Sequence, residues 1–64
     1  MKLPDKCSKI SVLYKNGDKE DFTPTSKIDE FEDCYEFTEA VEEKTNLVIL
    51  MKSEIRKIEF QKAN

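Results

Sequence analysis

Apolar and polar residues alternate over the first hydrophobic stretch of the chain, where Ile10, Val12 and Tyr14 are each separated by one residue, and a further apolar position follows at Phe22. Alternation of this kind marks a half-buried strand. Asn16-Gly17 lies between the two apolar ends, and Asn-Gly in that position is a strong local signal for a β-hairpin. Parity decides the length of the turn. A two-residue loop would pair Ser11 with Phe22 and leave the Phe22 ring on the face away from Ile10, Val12 and Tyr14. A three-residue loop, a type I turn followed by Gly17 in the left-handed bulge position, pairs Ile10 with Phe22 and gathers all four on one face. The spacing predicts the three-residue form.

The second strong pattern is the uninterrupted run Leu47-Val48-Ile49-Leu50-Met51, followed by Ile55, Ile58 and Phe60. A short continuous apolar run predicts a strand covered on both faces. Ile55 and Ile58 are three apart, the spacing of a tight helical turn, and Ile58 and Phe60 are two apart, the spacing of a strand. Ser53 is placed to cap the turn with its hydroxyl. The segment therefore reads as strand, short 3₁₀ turn, strand.

Two patterns compete between Thr23 and Thr45. Tyr35, Phe37 and Val41 fall at even separations, as on a strand, with Glu39 at an exposed bend. Phe37, Ala40 and Val41 also fit one helical face, and Thr38 to Lys44 holds good helix formers with acids early and Lys late. A helix this short is marginal without packing, which favours a strand over Tyr35 to Glu42 and leaves a helix near 37–45 as the alternative. Pro24 bars a helix interior at its position, and Ser26 with Asp29 resembles a weak capping box. The expected fold is mainly β, a single domain over residues 9–62 preceded by a flexible N-terminal segment over residues 1–8. The α+β arrangement is the alternative.

The order of these elements resembles small barrels of the SH3-like and Sm-like type. Ile10 to Phe22 with Asn16-Gly17 looks like the first Sm motif. Leu50 to Ile58 is similar to the second Sm motif of the bacterial RNA chaperone family, with Lys52 and Ile55 as the matching residues. The resemblance implies a five-stranded barrel with a 3₁₀ turn before the last strand. That family carries a His where this chain has Ser53, and an N-terminal helix for which Met1 to Lys9 offers no pattern. The compact acidic character of the chain is also similar to that of many short phage and prophage proteins.

Composition narrows the chemistry. With 64 residues, 38% apolar and 39% charged, a domain of this size buries only about 60% of its unfolded surface, so nearly every large apolar residue is needed for the core. There is no His, which removes Ser-His and Cys-His nucleophile pairs. Cys7 and Cys34 form no Cys-x-x-Cys motif and are expected as free thiols. Two distant cysteines do not make a zinc site, and a single glycine does not make a phosphate loop. We therefore expect no catalytic residues, no metal and no cofactor. No apolar run reaches the roughly 18 to 20 residues of a membrane span, and Met1 to Lys6 lacks the apolar region of a secretory signal. The expected location is the cytoplasm.

Charge is unevenly distributed: residues 28–43 hold eight acids and no base, while the net charge of the whole chain is −3. One reading of this block is solubility and protection of sheet edges. The other is a recognition surface for a protein with a basic surface, with Phe31, Glu32, Tyr35, Glu36, Glu39, Glu42 and Glu43 as candidate contacts. A pI of about 4.9 argues against nucleic acid as the partner, although Lys52, Arg56, Lys57 and Lys62 form a base-rich tail. A non-catalytic interaction module is the leading expectation. The alternatives are an Sm-like nucleic-acid binder and a structural subunit that forms a homo-oligomer through an edge strand.

Overall fold

A computed structural model describes residues 7–62 of the chain. The elements are β1 (Cys7–Tyr14), β2 (Lys19–Phe22), β3 (Asp29–Glu30), β4 (Cys34–Val41), β5 (Lys44–Met51), a 3₁₀ turn (Lys52–Glu54) and β6 (Ile55–Lys62). They form two antiparallel sheets of three strands, ordered β2-β1-β6 and β3-β4-β5. Of the expected N-terminal segment 1–8, residues 1–6 lie outside the described residues, and Cys7 and Ser8 already belong to β1.

The first hairpin has the predicted register. Ile10 pairs with Phe22 and Leu13 with Lys19. The Gly17 amide donates to the Tyr14 carbonyl at 3.0 Å and the Tyr14 amide to the Asp18 carbonyl at 2.8 Å, closing a three-residue loop with Gly17 at φ +96°. Asn16 accepts the Asp18 amide on Oδ1 at 2.9 Å, the local side-chain bond that suits Asn to a turn.

The middle of the chain is strand, not helix. β4 pairs with β5 from Cys34↔Met51 to Val41↔Lys44, so the loop between them is Glu42-Glu43 alone, both at positive φ. Strand pairing supplies β4 with the packing that an isolated helix over 37–45 lacked: Tyr35 and Phe37 turn inward and are buried. The core joins Ile10, Val12 and Phe22 of the first sheet to Tyr35, Phe37 and Leu50 of the second, with Ile28 from the connecting segment. Phe22 meets Phe37 edge-on at 5.5 Å between ring centres, and Tyr35 meets Phe60 in the same way.

Three expectations are corrected. The sheets do not close into a five-stranded barrel; there are six strands in two open sheets. Between the sheets, the segment after β2 makes a single bridge, Pro24↔Glu39, beside which the Thr25 amide donates to the Thr38 carbonyl at 2.8 Å, and among the described residues no longer ladder joins β2 to β4. The sixth strand is the two-residue β3, too short to leave an alternating pattern. The expected order of strand, 3₁₀ turn and strand is present, with the turn at Lys52–Glu54, but the Ile55–Ile58 spacing lies inside β6 and arises from a bulge. The register steps from Leu13↔Lys57 to Tyr14↔Ile55, so Arg56 is the extra residue of a β-bulge within β6. The 3₁₀ turn lies just before it, and no side chain, Ser53 included, caps its start. Finally, the Leu47–Met51 run is covered on one face only. Leu50 is buried, but Leu47, Ile49 and Met51 are 63%, 52% and 43% exposed. A chain this short folds into two layers, and among the described residues no third layer covers the outside of β5.

Candidate functional site

The outer face of the β3-β4-β5 sheet is the least ordinary surface of the molecule, and register defines its membership. Tyr35 and Phe37 point inward, so Cys34, Glu36, Thr38 and Ala40 of β4 point outward. Glu36 lies between Asp29 of β3 and Ile49 of β5, Cys34 lies opposite Met51, and Thr38 opposite Leu47. The Phe31 amide donates to the Cys34 carbonyl at 2.8 Å, which extends the β3–β4 pairing by one residue and sets Phe31 on the same outer face. Phe31 is 48% exposed.

An apolar band thus runs along β5 through Leu47, Ile49 and Met51 and turns across the end of the sheet through Cys34 to Phe31. It partly encloses two carboxylates, Asp29 and Glu36, paired directly across the strands. Like charges in that position repel. Among the described residues no cation forms an ion pair with either. Burial pushes the Cys34 thiol above its ordinary pKa, and the Asp33 and Glu36 carboxylates raise it further. The thiol therefore stays protonated, which makes it a weak nucleophile.

The seven candidates read from the sequence do not form one surface. Phe31 and Glu36 lie on the outer face, and Glu32 sits beside Phe31 in the β3–β4 loop. Tyr35 points the other way, 7% exposed, with the Lys52 ammonium 4.9 Å from its ring centre; it supports the fold and offers no ring to a partner. Glu39 is on the inward side of β4, where its Oε2 accepts the Thr23 amide at 3.1 Å. Glu42 and Glu43 occupy the far hairpin tip, about 26 Å along β4 from Glu32 at strand spacing. The acidic block is continuous in sequence and divided in space because strand alternation and two turns separate its members.

Leu47, Ile49 and Met51 were missed as surface residues, and Asp29, a member of the acidic block, was not among the candidate contacts. The missing signal was the opposite strand: Thr38 and Glu36, which face Leu47 and Ile49, are polar, and polar neighbours mark a solvent-facing row.

The base-rich tail is less free than its composition suggests. Lys52 is held by Glu30 at 2.8 Å and Lys57 by Glu59 at 3.1 Å. The hydrogen bond between Lys52 and Glu30 lowers the pKa of the acid and raises that of the base. Beside them is a shallow notch of about 230 Å³ lined by Tyr35, Lys52 and Arg56 among others. A second depression, of about 260 Å³, lies on the outer side of the other sheet near Leu13, Lys19 and Asp21. Both thiols, Cys7 and Cys34, are free. Among the described residues no three Cys, Asp or Glu side chains are grouped as metal donors, no polar side chain is buried, and no helix is long and apolar enough to cross a membrane.

Comparison of the chain with family models, with curated proteins and with solved structures gave no match in any of the three.

Proposed function

We propose that this protein is a non-catalytic interaction module that binds another protein through the outer face of the β3-β4-β5 sheet. The observation that carries the reading is the exposure of Leu47, Ile49, Met51 and Phe31 on one face. Contiguous apolar surface rimmed by polar groups is characteristic of contact sites, and an aromatic with neighbouring aliphatics is the usual composition of their energetic centre. The unrelieved pair Asp29↔Glu36 gives the face its electrostatic preference. A Lys or Arg from the partner, set between these carboxylates, would remove their mutual repulsion and fix the register of docking. The partner accordingly presents apolar side chains with a basic residue among them.

The test is capture of partners from a lysate by wild-type protein in parallel with Ile49→Lys and with Glu36→Lys. Both variants change exposed or half-exposed positions, so the fold is retained. The proposal requires that a protein held by wild type be lost from both variants. Equal recovery with all three proteins contradicts it.

A further inference from the structure

The outer face accounts for the side chains of β5 but not for its backbone. β5 is bonded to β4 on one side only. The loop Glu42-Glu43 makes Val41↔Lys44 the closing pair of a two-residue hairpin, and in such a hairpin the closing pair is the hydrogen-bonded one. Alternation then directs the amides and carbonyls of Lys44, Asn46, Val48 and Leu50 toward β4. The amide of Lys52, next in that series, does donate in that direction, to the Asp33 carbonyl at 2.9 Å. The backbone groups of Thr45, Leu47, Ile49 and Met51 therefore point out of the sheet, with no backbone partner among the described residues.

Among the described residues four strands lie at sheet edges: β2, β3, β5 and β6. Exposed edges are ordinarily guarded by charge, shortness, proline or a bulge. β2 is four residues long, carries Lys19, Glu20 and Asp21, and is followed closely by Pro24. β3 has two residues, both acidic. β6 holds Arg56, Lys57, Glu59 and Lys62, and its register is broken by a bulge. β5 is guarded only at its first residue, Lys44: from Thr45 to Met51 it carries no charge and no proline.

We infer that β5 pairs with β5 of a second copy of this chain, antiparallel about a two-fold axis, joining two three-stranded sheets into one of six. Charge selects this occupant. The neutral stretch Thr45 to Met51 is self-complementary, as a two-fold interface requires, whereas the charged and bulged β6 is a poor match for it. The acidic β4 strands of the two copies are kept three strand spacings apart, about 14 Å, which exceeds the Debye length of about 8 Å at physiological ionic strength. A register with Val48 on the axis pairs all four outward-pointing residues: Thr45 with Met51, and Leu47 with Ile49, of the second copy. This inference extends the docking face proposed above, since pairing doubles the apolar band and leaves it outward.

Sedimentation equilibrium of the wild-type chain over the micromolar to millimolar range tests the pairing, with two variants that fix its register. Leu47→Lys with Ile49→Lys sets like charges opposite each other across the axis and abolishes the dimer. Leu47→Lys with Ile49→Glu sets opposite charges there and restores it. Thermal unfolding of the same samples verifies that both variants are folded. A wild-type chain that stays monomeric throughout, an open-ended series of larger species, or two variants that dissociate alike would each overturn the pairing. A monomer that still captures a basic partner, and loses it on Glu36→Lys, would sink the dimer alone and leave the docking face standing.

Discussion

Gly17, at φ +96° with open space where a Cβ would point, is limited by backbone conformation and not by packing. Gly17→Ala should therefore cost about 1–2 kcal/mol, the penalty for placing an L-residue in the left-handed region, read from the shift in urea midpoint. The opposite case is the β4–β5 turn, where Glu42 and Glu43 hold φ values of 51° and 67°. Such a turn favours Asn-Gly. Replacing Glu42→Asn with Glu43→Gly should raise stability by about 1 kcal/mol, seen as a Tm higher by about 4–8 °C for a domain of this size. Tyr14 supplies a pH signature. Desolvation, then the hydrogen bond its hydroxyl donates to Glu20 at 2.7 Å, push its pKa up from 10.0 to about 12. The folded state holds this proton more tightly than the unfolded chain. Its contribution is intact below pH 10 and is lost as the pH rises toward about 12. Tyr14→Phe should remove that alkaline dependence from the stability profile.

At the scale of elements, the hairpin was legible because Asn16-Gly17 is a local signal and parity allowed only one register to bury Phe22. β4 was legible from the even spacing of Tyr35, Phe37 and Val41. The Leu47–Met51 run was not legible in the same way, since periodicity in a continuous apolar segment cannot say how many layers cover it. The order of strand, 3₁₀ turn and strand was legible there, although the Ile55–Ile58 spacing belongs to a bulge in β6, where one inserted residue gives a spacing of three that imitates a helical turn. The one-sided burial of β5 has a direct consequence for mutation. Leu50→Ala, at a residue 5% exposed, should cost about 2–5 kcal/mol. Ile49→Lys, at its exposed neighbour, should change stability by no more than about 0.5 kcal/mol. Chemical denaturation of the two variants checks the contrast, which would vanish if both faces of β5 were covered.

For the molecule as a whole, mainly β architecture followed from the alternation, but whether the sheets close did not. Closure depends on pairing between segments distant in sequence, which no local pattern specifies, and here it amounts to the single bridge Pro24↔Glu39. The site was legible in part. Phe31 and Glu36 emerged from the acidic block, whereas the β5 band was hidden because the same residues served equally well as candidate core. With only seven buried apolar residues in the described core, four large side chains left on a single outer face represent a substantial fraction of what the chain had to spend on folding.

Both the docking face and the pairing of two copies require β5 to be paired on one side alone within a single chain. Amide hydrogen exchange resolved by residue, at a dilution where the chain is monomeric, measures that directly. Protection should alternate along the strand, with Asn46, Val48 and Leu50 exchanging slowly and Leu47, Ile49 and Met51 quickly. Uniform protection from Thr45 to Met51 would mean that the chain covers its own edge, and would contradict the account.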